Sequence, residues 1–282
     1  MTYSYYRTRK PSAHLMEKIG LIAGNRKFPL LFAASAKKKG YAVIAIAIKG
    51  DTSSALRNIV DKLYWLRLAE FNKIFTIFKS EGIKNVVMAG QVSPFRLFSK
   101  EINKSEELKQ ILVSLKDKKA DTLFGAVAQR LEAAGFKLLD STTFIEEHLP
   151  KKGTLTKLQP DFDTWENIYF GLNLAKAVAD LDIGQTVAVK AKAIVAVEAF
   201  EGTDNLIRRA GKIGHGKVVI VKVSKPKQDM RFDVPVIGLK TIKSLVKAKA
   251  RCLAFEAEKT LFIDKDKSLK LADKKGISIV AV

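Results

Sequence analysis

The feature that most constrains this chain is a set of continuous apolar runs, each stopped by glycine and separated by segments of helical spacing. Ile19 to Gly24, Tyr41 to Ile48 and Asn85 to Gly90 are such runs. Between them lie Pro29 to Lys39, halted at Gly40, and Phe71 to Ser80, whose apolar face is Ile74, Phe75, Ile77 and Phe78 and which Gly82 ends. Thr122 to Ala134 then reads as a helix closed by Gly135, with Phe136 to Leu139 as a further short strand. A strand buried on one face alternates apolar and polar residues; one apolar throughout must be covered on both. Strand–helix alternation of this kind predicts a parallel, Rossmann-like sheet with helices on both faces.

The pattern breaks around Leu149 to Gly153 and Gln159 to Asp161. A domain boundary is expected there, giving a basic extension over 1–17, a Rossmann-like domain over 18–148 and a C-terminal domain over 149–282. The second domain opens with a helix, Thr164 to Leu181. Its strand-like runs include a hairpin over Val187 to Val197, so a mixed α/β sheet is expected, with the ligand cleft between the domains.

Charge narrows the partners. The 50 basic and 29 acidic residues leave +21. That balance favours anions, whether nucleic acid, acidic headgroups or phosphorylated substrates. No zinc finger, RNA-binding aromatic signature or concentrated basic helix speaks for nucleic acid. The single cysteine, Cys252, cannot form an internal disulfide, and with three histidines a structural zinc site is not expected. No run reaches the ~20 apolar residues of a spanning helix. A cytoplasmic protein is the expectation, its aromatic and basic N-terminus (Tyr3, Tyr5, Tyr6, Arg7, Arg9, Lys10) serving either as a tail or as an arm on an anionic membrane.

Four places carry chemistry. Gly24 and Gly90, with Gln91, follow strands of the parallel sheet, where ligands bind beyond the carboxyl ends. A glycine turn there brings backbone N–H groups to a phosphate; a tight turn without ligand explains it equally well. The segment Glu198 to Asn205 sets three carboxylates and a hydroxyl around Gly202. Thr203 or Asp204 is expected to cap a helix over Asn205 to Ala210, and the remaining acids could hold Mg²⁺ against substrate phosphates. Lys222 to Pro235 packs Lys222, Lys225, Lys227 and Arg231 around Asp229 and Asp233, with Pro226 and Pro235 expected to keep it extended. Phosphate-ester chemistry needs that mixture: cations against phosphate oxygens, and a carboxylate for a metal or a water proton.

Taken in order, Gly20-Leu-Ile-Ala-Gly24, Val86 to Val92, Asp182-Ile-Gly-Gln185, Val197 to Asp204 and Lys225 to Gly238 resemble one family. It is the two-domain UDP-2,3-diacylglucosamine pyrophosphatases of a subset of Gram-negative bacteria. The resemblance runs from about residue 18 to the C-terminus. It implies hydrolysis of UDP-2,3-diacylglucosamine to UMP and 2,3-diacylglucosamine 1-phosphate (lipid X) in lipid A biosynthesis, with Mg²⁺ as cofactor. It places the essential carboxylate at Asp233, with Asp229 second. The metal set it suggests is Asp233, Asp229, Asp204 and Glu201. The substrate set is Gly24, Gly90, Gln91, Gln185, Gly202, Thr203, Lys222, Lys225 and Arg231. The chain departs from the family at Ala120-Asp121-Thr122, where two acids are common, and at Lys227, where glycine is common. A lipid substrate implies a place peripheral to the anionic inner membrane, and no nucleic acid. Homodimer formation stays open. The rival reading is a non-catalytic nucleotide- or nucleic-acid-binding α/β protein.

Overall fold

A computed structural model describes residues 16–91, 108–110 and 120–282. The N-terminal extension up to residue 15 lies outside the described residues, as does Val92 with the Ser93-Pro94 that follows it.

The first sheet has five strands, β1 (Lys18–Ala23), β2 (Ala42–Ile48), β3 (Lys62–Leu66), β4 (Asn85–Ala89) and β5 (Lys137–Leu138). They run parallel in the order β3-β2-β1-β4-β5. Because side chains alternate across a strand, each apolar run feeds two cores. Ile44, Ile46, Ile48, Val86 and Met88 face α2 (Lys73–Ser80) and α3 (Ala120–Ala133). Ile19, Leu21, Val43, Ala45, Val87 and Ala89 face α1 (Phe28–Lys38) through Phe28, Phe32, Ala33 and Ala36. Both faces are covered, as continuous apolarity requires.

The second sheet is mixed. Its members are β6 (Gly153–Thr154), β7 (Thr186–Lys190), β8 (Ala193–Val197), β9 (Val219–Lys222), β11 (Cys252–Phe255) and β13 (Ser278–Ala281), ordered β6-β13-β11-β9-β7-β8. β9, β11 and β13 are parallel; β7 is antiparallel to both β8 and β9, which is the expected hairpin. One face packs on α4 (Phe162–Asp180). There Gly171 admits no side chain, since a Cβ would sit 2.7 Å from Val221 Cγ2. The other face is covered by α5 (Thr203–Ile213), α6 (Leu239–Lys247) and α7 (Lys265–Lys274).

The halves share a core. A two-stranded ladder, β10 (Val236–Gly238) with β12 (Leu261–Ile263), belongs by sequence to the second half. Yet Leu261, Ile263, Val234 and Val236 pack with Phe28, Phe32 and Ile145 of the first. An ion pair, Lys27 Nζ to Asp264 Oδ2 at 2.7 Å, ties the β1–α1 turn to the start of α7.

Candidate active site

The carboxyl ends of β8, β9 and β11 and the amino end of β7 lie along one edge of the mixed sheet, because β7 alone among them runs the other way. From that edge the loop 223–235 crosses to the first half. The Ser141 hydroxyl lies between two carbonyls, Met88 at 2.5 Å and Arg231 at 2.7 Å, while Ser141 N donates to Met230 O at 2.9 Å. Arg231 Nη1 meets Glu132 Oε1 on α3 at 2.6 Å, and the Phe232 ring packs 6.4 Å from that of Phe124. Asp229 and Asp233 therefore stand in a segment clasped by both halves, each about 70% covered.

The loop is not extended. Prolines fix only their own φ, and side chains between them fold the chain into turns. Gln228 N donates to Lys225 O and Asp233 N to Asp229 O. Gln228 spans the bend: its Oε1 accepts from Lys225 N at 2.7 Å and its Nε2 donates to both the carbonyl and carboxylate of Asp233. Lys225 Nζ lies 2.6 Å from Asp182 Oδ1 and 3.9 Å from Asp233 Oδ2. Asp229 takes Arg231 in a forked pair, Nε at 3.0 Å and Nη2 at 2.7 Å. That guanidinium holds the Asp229 carboxyl below its usual range despite partial burial, and Arg231 is raised in turn.

The loop's start is pinned by a residue the sequence reading passed over. Glu256, just beyond β11, accepts from Ser224 N (3.0 Å), Ser224 Oγ (2.7 Å), Lys176 Nζ (2.5 Å) and Lys259 Nζ (2.7 Å). Burial pushes its pKa up, and these donors outweigh it, leaving about 2. A carboxylate at a strand's carboxyl end was the available signal.

Next to Lys222 lies a buried polar chain. Lys222 Nζ donates to Thr203 Oγ1 at 3.0 Å, and Thr203 Oγ1 donates to Glu198 Oε1 at 2.8 Å. Neither Thr203 nor Asp204 caps α5, which begins at Thr203 behind Gly202 without a side-chain cap. The hydroxyl is turned to Glu198 instead. Gly184 lets this happen, because a Cβ there would stand 2.1 Å from the Glu198 carbonyl. Gln185 joins the edge through its carbonyl, which accepts from Val223 N at 2.9 Å.

The glycine turns of the first half are spent on each other. Gly24 N donates to Ala89 O and Asn25 N to Gln91 O. A Cβ on Gly24 would meet Gln91 O at 2.5 Å, and one on Gly90 would meet Asn25 O at 2.6 Å. Tight packing, not a phosphate cradle made of these two N–H groups, accounts for both glycines.

The four carboxylates of the expected Mg²⁺ set do not converge. Glu201 pairs with Arg209, and Asp204 turns to Lys240 (3.1 Å) and Ser244 (3.3 Å) against α6. Asp229 belongs to Arg231, and Asp233 to Gln228 and Lys225. Among the described residues no three His, Cys, Asp or Glu are grouped for a metal ion. As placed, these side chains do not fit that shell.

Two family models match this chain, the LpxI N-terminal domain over residues 18–148 and the LpxI C-terminal domain over 151–280. The chain belongs to the LpxI family. An LpxI relative from Caulobacter vibrioides, UDP-2,3-diacylglucosamine pyrophosphatase, is 29% identical over 277 residues, spanning 95% of this chain and 98% of the relative. Solved structures are more distant. Glycinamide-RNase-transformylase T from Mycobacterium tuberculosis aligns at 14% identity over 65% of this chain and 44% of its own, with a TM-score of 0.24. An N5-carboxyaminoimidazole ribonucleotide synthetase bound to ADP aligns at 15% over 69% and 44%, TM-score 0.26. The chain spans less than half the length of either.

Proposed function

We propose that this protein hydrolyses the diphosphate of UDP-2,3-diacylglucosamine, giving UMP and 2,3-diacylglucosamine 1-phosphate, a step of lipid A biosynthesis. The observation that carries the reading is the end-to-end match to an LpxI pyrophosphatase, across both domains and nearly the whole relative. The geometry supports it at the level of charge. A diphosphate needs cations held in place before it arrives, since donors that need not reorganise stabilise the transition state most. Lys222, Lys225 and Arg231 are so held, by Thr203, by Asp182 and by Asp229 with Glu132.

In the reaction a water oxygen bonds to one phosphorus as the bridging P–O bond breaks, and the bridging oxygen leaves with the other phosphoryl group. Asp233 accepts the water proton, with Gln228 and Lys225 fixing its orientation. Lys222, Lys225 and Arg231 neutralise the phosphate oxygens. Thr203 and Gln185 line the edge that receives sugar or phosphate oxygens, and Gly202 leaves that edge open. Gly24, Gly90 and Gln91 form the wall at the carboxyl ends of β1 and β4. No helix among the described residues is long and apolar enough to cross a membrane. A protein of net charge +21 is held on anionic inner-membrane headgroups by attraction of about 1 kcal/mol per well-placed cation.

The test is hydrolysis of purified UDP-2,3-diacylglucosamine in ¹⁸O-labelled water, read by mass spectrometry of both products. Label in one product is expected, and it identifies the phosphorus attacked. Recovery of intact substrate would overturn the reading.

A further inference from the structure

Lys222 is 6% exposed, and its ammonium has one hydrogen-bond partner among the described residues, Thr203 Oγ1. An ammonium carries three protons, so two remain uncommitted at the carboxyl end of β9. A hydroxyl has a single proton, and that of Thr203 goes to Glu198 Oε1. Its lone pairs are therefore what Lys222 meets. Glu198, an acceptor at 2.8 Å, is the nearer neighbour that takes this proton; the Thr186 hydroxyl lies farther off, 3.5 Å from Thr203 Oγ1. The carboxylate is itself 8% exposed, and its second oxygen, Oε2, is buried with no partner among the described residues. Its backbone is anchored where it must be, Glu198 N donating to Thr186 O at 2.8 Å and Gly184 packing against its carbonyl.

A buried pair that served stability alone would close the ions on each other, since direct contact recovers most of the desolvation cost. Here the carboxylate stops one hydroxyl short of the ammonium. We propose that Glu198 is a positioning residue, holding the Thr203 hydroxyl with its lone pairs toward Lys222 and so aiming the ammonium's two free protons at the diphosphate. The inference rests on the reading of Lys222 as a phosphate-binding cation.

The experiment uses the full chain with Glu198→Ala, the near-isosteric Glu198→Gln, Lys222→Met, and Glu198→Ala combined with Lys222→Met. Inorganic pyrophosphate binding is measured by calorimetry, kcat and KM on the lipid substrate, and folding by thermal melting. Pyrophosphate affinity and kcat are expected to fall about tenfold in Glu198→Ala, the scale of one hydrogen bond to a charged group. In the Lys222→Met background the same change is expected to add nothing, because coupled residues are not additive. Glu198→Gln, which keeps one acceptor oxygen, is expected to recover part of the loss while melting like wild type. Full additivity, or wild-type pyrophosphate affinity in a folded Glu198→Ala protein, would overturn the proposal, as would failure of the wild type to bind pyrophosphate. Pyrophosphate coupling without turnover of the lipid substrate would sustain it while removing the proposed function.

Discussion

Replacing Glu256 by Gln removes one charge and little else, so its consequences can be worked through. In the folded protein the carboxyl is held at about 2 against an ordinary value of 4.5, burial opposing and the donors Lys176, Lys259 and Ser224 prevailing. At ~1.4 kcal/mol per unit the ceiling on its stabilisation is about 3 kcal/mol. Lys176 and Lys259 are 39% and 55% exposed, so solvent screens both pairs. About half the ceiling, ~1.5 kcal/mol, is the better figure. For a chain of this size that is a fall in Tm of roughly 3–6 °C at pH 7. The pH dependence has a fixed sign. A depressed carboxyl contributes fully above its unfolded value and loses that contribution as pH falls toward the folded one. The gap between wild type and Glu256→Gln should therefore be constant from pH 7 down to about 5 and shrink between 4.5 and 2. Circular-dichroism melts at pH 7, 5.5, 4.5 and 3.5 test this. Equal Tm values at pH 7, or a gap undiminished at pH 3.5, would refute the reasoning. Because Ser224 opens the loop that bears Lys225 and Asp233, kcat should fall severalfold with the same substitution.

Three further outcomes are expected. Asp233→Ala should lower kcat by at least ~10³-fold with the melting temperature nearly kept, the scale of losing a group that acts in the transition state; near-normal release of UMP by the purified variant would remove Asp233 from its assigned role. Gly184→Ala forces a Cβ to 2.1 Å from the Glu198 carbonyl, and should cost about 3 kcal/mol, at the upper end of overpacking, together with activity; a variant that melts like wild type would show that the two loops are not in contact. Titration of the free protein with millimolar MgCl₂ should give no binding heat, since each of the four acids expected to hold the ion is committed to other side chains; saturable binding without substrate would contradict that.

What the sequence shows of this protein follows how local each determinant is. β1, β2 and β4 were legible because strands buried on both faces must be apolar throughout, and the glycines that stop them are adjacent. β3 was not, because Lys62–Leu66 lies at the sheet edge, is partly exposed and carries a charged flank that dilutes the pattern. β10 is three residues long and lies behind Pro235, too short to carry any period. The motifs at 198–204 and 225–233 are local in the sequence. Their partners, however, come from far along the chain: Asp182 for Lys225, and Glu132 with Ser141 for Arg231. No local pattern encodes those distances. For the same reason Pro226 and Pro235 read as a stiff extended run, when Gln228 turns the chain between them.

The dispersal of the four acids expected to hold Mg²⁺ has a different ground, and it bears on how the net charge relates to the site. Two of the four acids are taken by cations of their own segments, Asp229 by Arg231 two residues on and Glu201 by Arg209 eight residues on. Of the four cations of 222–231, Lys225 and Arg231 stand against four carboxylates, Asp182 and Asp233 for the first and Asp229 and Glu132 for the second, so this part of the segment carries no excess positive charge. The excess of basic residues that suggested an anionic partner is carried elsewhere, much of it on exposed lysines of α6 and α7 such as Lys243, Lys247, Lys267, Lys270 and Lys274. A site built this way would not draw in every polyanion. On the proposed reading it would favour one that offers oxygens to Lys222, whose partner is a hydroxyl, as well as to Lys225 and Arg231, whose carboxylates it must replace.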